Sequence, residues 1–297
     1  MKQTRKSILI FMTPAIALML IVFLYPALRT TVMSLFKVKT VTSPVSTWQF
    51  VGAQNFLSLF RTPLFMRSMG NIMKIWLYCG VVTMGLSLLF AIAFTSDLRF
   101  KKFFRAIVYL PNVIASIAIG YMWLLYVYNS RFGLLTNLFS TLGLERLASY
   151  QWLSADHLFL SMCIANIFGN VGYFMMMYIA GIEKISPDYF EAASIEGANV
   201  FQKFLYITLP LVKGVLRTAF VLWTTRTMAF FALSQVFVGA STYTPMLFTY
   251  QTLFGTEVAS ESVNAGMAAA AALLMTLIVV TASSLISRLI PDENYEL

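Results

Sequence analysis

Runs of about twenty mostly apolar residues recur along this chain, at about 8–28, 75–94, 106–128, 157–182, 212–238 and 265–286. Wound as a helix, a run of that length spans the ~30 Å hydrocarbon core of a bilayer. Lipid offers no hydrogen bonds to backbone N–H and C=O groups, so each run has to satisfy its own, as an α-helix does. The pattern predicts an all-α integral membrane protein with six transmembrane helices. Charge content agrees, because only 11% of the 297 residues are charged, against about 25% in an average soluble domain.

The formal net charge is +9, but the basic residues sit at the ends of apolar runs and form no single patch. They read as topology signals, and a nucleic-acid partner is not expected. Cys79 and Cys163 both fall inside apolar runs, as buried small hydrophobes do. His157, the sole histidine, starts a run without ligand partners at metal spacing and reads as structural. Lys2, Arg5 and Lys6 precede the first run, which is longer than the roughly 7–15 residues of a secretory signal core. It is expected to be a retained first span, bent or ended by Pro14 and Pro26. With six spans, both termini, the basic turn at 97–105 and the segment 183–211 share one side. Lys2, Arg5, Lys6, Arg99, Lys101, Lys102, Arg105, Lys184, Lys203, Lys213 and Arg288 then face the cytoplasm. Lys37, Lys39, Arg61 and Arg67 fall in the outer connection 30–74, where charge in a longer loop carries less topological weight. The last outer loop, 239–264, holds Glu257 and Glu261 and no Lys or Arg. The sixth run is rich in small residues, Ala265-Gly266 and Ala268 to Ala272, which predicts close packing against another helix.

The segment 183–211 differs from the rest, reading as two short amphipathic helices. Ser186 suits an N-cap, Pro187 the first helical position and Asp188 the first turn. Gly197 supplies a left-handed residue to end the first helix. The second runs from about Val200 to Ile207, and Pro210 is expected to stop it before the fifth span. An interfacial helix lying on lipid would want a basic polar face, and Glu191 and Glu196 oppose that reading.

Glu191-Ala192-Ala193, three residues, Gly197, and Pro210 thirteen residues beyond it resemble the signature loop of ABC importer permeases. More narrowly, the chain resembles the membrane subunits of binding-protein-dependent oligosaccharide importers, the maltose-type group. Gly52-x-x-Asn55-Phe56, Phe104-Arg105 and Leu110-Pro111 fit the same likeness. One departure is visible: Glu196-Gly197-Ala198 stands where the group usually has Asp-Gly-Ala.

The resemblance implies a division of labour. The loop is a coupling helix that inserts into a cleft on an ATPase protomer. A second homologous permease subunit completes a heterodimer, two ATPase subunits bind ATP and Mg, and an extracytoplasmic solute-binding protein docks outside. The membrane is a bacterial-type cytoplasmic membrane. No Gly-x-x-x-x-Gly-Lys-Ser/Thr phosphate loop is present, so no cofactor is expected in this chain and hydrolysis falls to another subunit. Ala192 and Ala193 would let the helix seat closely, Glu191 would bond a partner, and Glu196, Gly197 and Ala198 would form the bend.

Candidates for the solute path lie in the fourth and fifth spans. Asn166, Asn170 and Tyr173 recur at i, i+4 and i+7 and share a helix face. That stripe suits a polyhydroxylated ligand or, equally, hydrogen bonding between helices. Arg226, three residues beyond Trp223, stands mid-span, where a charge costs about 2.5–3.5 kcal/mol on insertion scales. No Asp or Glu lies at its depth, leaving substrate, a second subunit or backbone carbonyls as its partner. A self-contained secondary carrier using Arg226 as its coupling charge is the alternative function. It lacks an inverted repeat and intramembrane carboxylates. A membrane-embedded enzyme would need a nucleophile–base pair or a metal set, and neither is visible in the sequence.

Overall fold

The computed structural model describes residues 11–96, 98–255 and 263–290. The basic residues at 2, 5 and 6, Asp97, Glu257, Glu261 and the tail from 291 lie outside them. Four helices are long and apolar enough to cross a membrane, and six segments qualify if two bent pairs each count as one span.

The first long helix, α1 (Phe11–Met33), continues past Pro14 and Pro26, so of the two expectations for these prolines the ending of the span at Pro26 is not met. A π-helical turn, Met19–Leu24, precedes that proline. Widening the turn accommodates the missing N–H and the ring that would meet a carbonyl four residues back. The same device recurs at Pro210. Following α1 come paired strands β1 (Phe36–Lys37) and β2 (Gln49–Phe50), then α2 (Gln54–Arg61). Next is α3 (Pro63–Thr95), which starts twelve residues before the apolar run at 75. Polar residues hid that first stretch, and one of them, Asn71, donates to the carbonyls of Ala240 and Tyr243, 2.9 Å each.

The third span is broken. Helix α4 (Lys101–Val113) and α5 (Ser116–Val127) meet at 99°, where an unbroken helix over 106–128 was expected. Leu110-Pro111 tightens the end of α4 into a 3₁₀ turn, and Ile114 leaves the helical region. After α6 (Leu134–Thr141) the fourth span, α7 (Leu158–Ile182), is continuous. Helices α8 (Pro187–Ile195) and α9 (Val200–Leu211) follow, and α9 meets the fifth span at 69°. That span is itself two helices, α10 (Lys213–Met228) and α11 (Ala232–Val236), instead of one run over 212–238. Helix α12 (Pro245–Phe254) and the last span, α13 (Ala265–Leu289), complete the described chain.

Residues group into two units. In the first, 1–66 with 248–277, Ala265 and Ala269 at the start of α13 cluster with Met33 of α1, with Leu253 of α12 packed against them, and Gly266 makes a close approach to backbone. A Cβ on Gly266 would collide with the carbonyl oxygen of Phe36. The N–H groups of Ala265 and Gly266 donate to Lys39 O and Val38 O at 3.1 and 3.2 Å. Asn55 fastens the same corner, its Nδ2 donating to Ser34 O at 2.8 Å and Phe36 O at 2.9 Å. Asn55→Ala leaves those carbonyls short of a donor in a buried corner and should cost about 1–3 kcal/mol. A lowered melting temperature of the detergent-solubilised protein checks this, and an unchanged one refutes it.

In the second unit, 67–247 with 278–297, α3 and α7 lie against each other. Ser87 Oγ donates to Val171 O at 2.8 Å across that contact. Gly172 of α7 admits the end of α4: an added Cβ would stand 2.6 Å from Tyr109 Cα and would also meet Val108 O. Trp223 Nε1 donates to Trp76 O at 2.9 Å, and Trp76 Nε1 to Thr224 Oγ1 at 3.0 Å, which locks α10 to α3. Cys79 and Cys163 are buried free thiols. His157 accepts or donates at Nδ1 to Ser154 Oγ, 2.9 Å, beside the start of α7.

Candidate functional site

Two places in the second unit gather the residues singled out by sequence. The first is the α8–α9 loop. Ser186 caps α8, its Oγ accepting from Asp188 N–H and donating to Asp188 Oδ2 at 3.1 Å. Gly197 has φ +77°, the left-handed conformation its position demands. Around it Ala198 N–H donates to Ala193 O at 2.8 Å and Gly197 N–H to Ser194 O at 3.1 Å, the paired bonds of a Schellman ending. A capping box starts α9, with Asn199 N–H to Gln202 Oε1 at 2.8 Å and Gln202 N–H to Asn199 Oδ1 at 2.9 Å. Lys203 Nζ reaches back to Ser194 Oγ at 2.6 Å and ties the two helices together.

Pro210 does not stop α9. The π turn Phe204–Thr208 opens the helix ahead of it, and the break falls at Val212. Glu191, Ala192, Glu196 and Gly197 are exposed, Ala193 and Ala198 half-buried. Beside them stand bare apolar side chains: Ile195 is 86% exposed, Val200 76% and Phe201 67%. Water is a poor solvent for such a cluster on so firmly capped a scaffold.

The base of the loop is held from the side. Arg105 Nη2 sits 2.8 Å from Glu183 Oε1 and donates to Phe94 O at 2.6 Å. One guanidinium therefore joins the end of α3, the start of α4 and the residue following α7. Phe104-Arg105 carries no local signal of these partners, which come from α3 and the residue after α7.

The second place is a cavity of about 170 Å³. It is lined by Asn166, Asn170, Trp223 and Arg226, together with Asn112 and Thr227, which sequence reasoning missed. Both interrupted spans turn toward it: the break after α4 brings Ile114, and the break between α10 and α11 brings Ala229, Phe230 and Phe231. Irregular backbone at membrane depth is tolerated where it lines a cavity. Leu110-Pro111-Asn112 carries a readable signal for the first break, because proline in an apolar run interrupts a helix. No comparable signal marks Ala229–Phe231.

Tyr173 is outside the lining, yet its ring lies under the Arg226 guanidinium, 4.4 Å from centroid to Cζ. Asn170 Nδ2 donates to Asn166 O and Oδ1, 2.9 Å each, so its bonds stay within α7 and do not cross to another helix. Asn166 Nδ2 and Thr227 Oγ1 are buried without a hydrogen-bond partner. Trp223 shows only part of its ring to the cavity, its N–H being committed to Trp76.

This arrangement has relatives. A family model described as the binding-protein-dependent transport system inner membrane component matches residues 83–293. The chain belongs to that family. It is therefore a multi-pass membrane permease, a transport component and not an enzyme. Among curated relatives, the probable ABC transporter permease protein YurN of Bacillus subtilis is 31% identical over 77% of each chain. The diacetylchitobiose uptake system permease protein NgcF of Streptomyces coelicolor is 28% identical over 59% of this chain and 52% of its own length, so the match spans about half of that relative. The fold matches that of a bacterial ABC transporter involved in the import of the acidic polysaccharide alginate, with TM-score 0.80, 20% identity and coverage of 98% of this permease and 99% of that chain. Nothing in these relationships supports the self-contained carrier as an alternative.

Proposed function

We propose that this permease is one of two homologous membrane subunits of an ATP-driven importer that takes an oligosaccharide from an extracytoplasmic binding protein. The observation that carries the reading is the α8–α9 loop, capped at both helix starts, closed by Gly197, and presenting Glu191 beside exposed Ile195, Val200 and Phe201. Such a knob suits a cleft on an ATPase. Glu191 supplies the charge-assisted bond, Ala192 and Ala193 allow close seating, and Glu196, Gly197 and Ala198 set the turn. Pro210, inside α9, stiffens the path to the fifth span. ATP and Mg bind the ATPase subunits and none of the residues named here. Both termini lie in the cytoplasm with the loop.

Alternating access follows from the two sites together. Movement of α8–α9 by a closing ATPase pair shifts the 69° joint at Val212 and, through α10, the wall of the Arg226 cavity. Asn166, Asn170, Tyr173, Trp223 and Arg226 form the solute path. A carbohydrate cargo is favoured by the amide-rich lining and by the diacetylchitobiose relative.

The test is reconstitution. Purified with its ATPase, second permease and binding protein, the complex should show ATP hydrolysis stimulated at least several-fold by the loaded binding protein. The chain alone in proteoliposomes should not move labelled oligosaccharide. Transport by the chain alone would overturn the reading.

A further inference from the structure

The cavity is edged by an exposed cation, Arg226, and by no anion. Arg226 presents its guanidinium there, and among the described residues none of its N–H groups has an acceptor. None of the residues lining the cavity is an Asp or Glu. The twelve acidic residues of the chain all fall in connections or near its ends. Tyr173 covers one face of the guanidinium at 4.4 Å. Stacking of that kind fixes the plane of the fork while leaving its edge, where the N–H donors point, free for a planar anion. Next to it, Asn166 Nδ2 and Thr227 Oγ1 are buried and unpartnered, and Asn112 adds a further amide. A flat anionic group carrying neighbouring hydroxyls would answer both deficits at once. The carboxylate of a uronic acid residue has that form, two oxygens matching the fork and ring hydroxyls within reach of the amides.

We propose that Arg226 binds the carboxylate of a sugar acid, so that the cargo of this permease is a uronate-bearing, anionic oligosaccharide. The proposal rests on the importer reading above and adds the charge of the cargo to it. The small volume fits one sugar residue of a longer chain, since sites for whole drug-sized ligands run to about 300–1,000 Å³.

The test is equilibrium binding of labelled trisaccharides to the purified permease–ATPase complex without its binding protein. The probes are trigalacturonate, trimannuronate, the fully methyl-esterified form of each, and maltotriose. Esterification removes the charge and keeps the sugar backbone. At least one free acid should bind ten-fold or more tightly than its ester and than maltotriose. Arg226→Gln should erase that preference, and Arg226→Lys should restore part of it. If R226Q does not assemble, the acid-against-ester comparison on the unaltered complex decides alone.

Equal binding of acid and ester, or a preference that survives R226Q, overturns the proposal. Binding of maltotriose alone overturns it while leaving the importer reading intact. That reading fails separately, when a loaded binding protein does not stimulate ATP hydrolysis, and the charge proposal falls with it.

Discussion

Glu191→Lys should abolish uptake by releasing the ATPase, with the permease itself still folded. Glu191 is exposed on α8, so reversing its charge disturbs nothing inside the chain. If it seats against a cation in the ATPase cleft, the reversal replaces an attraction with a repulsion. Truncating one partner of a buried charge pair at an interface costs about 2–5 kcal/mol, well over ten-fold in binding.

Gly197→Val should have the same outcome by another route. Nothing lies within 4 Å of the position a Cβ would take, so no clash is involved. The strain comes from φ +77°, which costs an L-residue about 1–2 kcal/mol and a β-branched one more. The helix ending relaxes that strain by giving up the Ala198-to-Ala193 bond and turning α9 away from α8. Gly197→Asn, which tolerates the left-handed region, should retain most activity. Co-purification of the ATPase and ATP-dependent uptake are the measurements, and normal uptake with G197V and E191K would remove the loop from the mechanism.

A second large effect is expected at Gly172→Val, on folding instead of coupling. The missing side chain lets α7 touch the backbone at Val108 and Tyr109, next to the break that shapes the Arg226 cavity. Backbone there cannot swing aside as a side-chain tip does. Overpacking typically costs about 1–3 kcal/mol, and three extra carbons against a fixed carbonyl belong at or above that range. G172V should therefore yield little or no assembled protein and G172A a reduced melting temperature. Gly85→Ala on α3 is the control, because nothing lies within 4 Å of its added Cβ. Wild-type yield and melting for G172V would show that α4 can retreat from α7.

The contrast between those two glycines marks what was readable in the sequence. Gly197 announced itself, since a glycine closing a Ser-Pro-Asp helix has a local reason to exist. Ser186, Pro187 and Asp188 were legible on the same grounds. Gly172 carried no such signal, because its reason is a neighbour on another span. Arg226 was conspicuous as a mid-span charge, whereas Thr227 beside it was one threonine among several until the cavity gave it an address. The apolar runs showed where helices cross but not where they break. Pro111 hinted at the bend of the third span, yet Pro26 and Pro210, equally prominent, are absorbed by π turns and break nothing. Amphipathic stretches such as 63–74 were lost because Arg67, Ser68 and Asn71 diluted the hydropathy of a helix that is continuous.

Arg105 has a mechanical meaning beyond its bonds. Through a single nitrogen, Nη2, bonded to both Glu183 Oε1 and Phe94 O, it fastens the root of α8 to two spans at 2.8 and 2.6 Å. If the loop is driven as proposed above, a load on it would meet this fastening before residues 183–186 could bend, and would turn α3, α4 and α7 together about the joint at Val212.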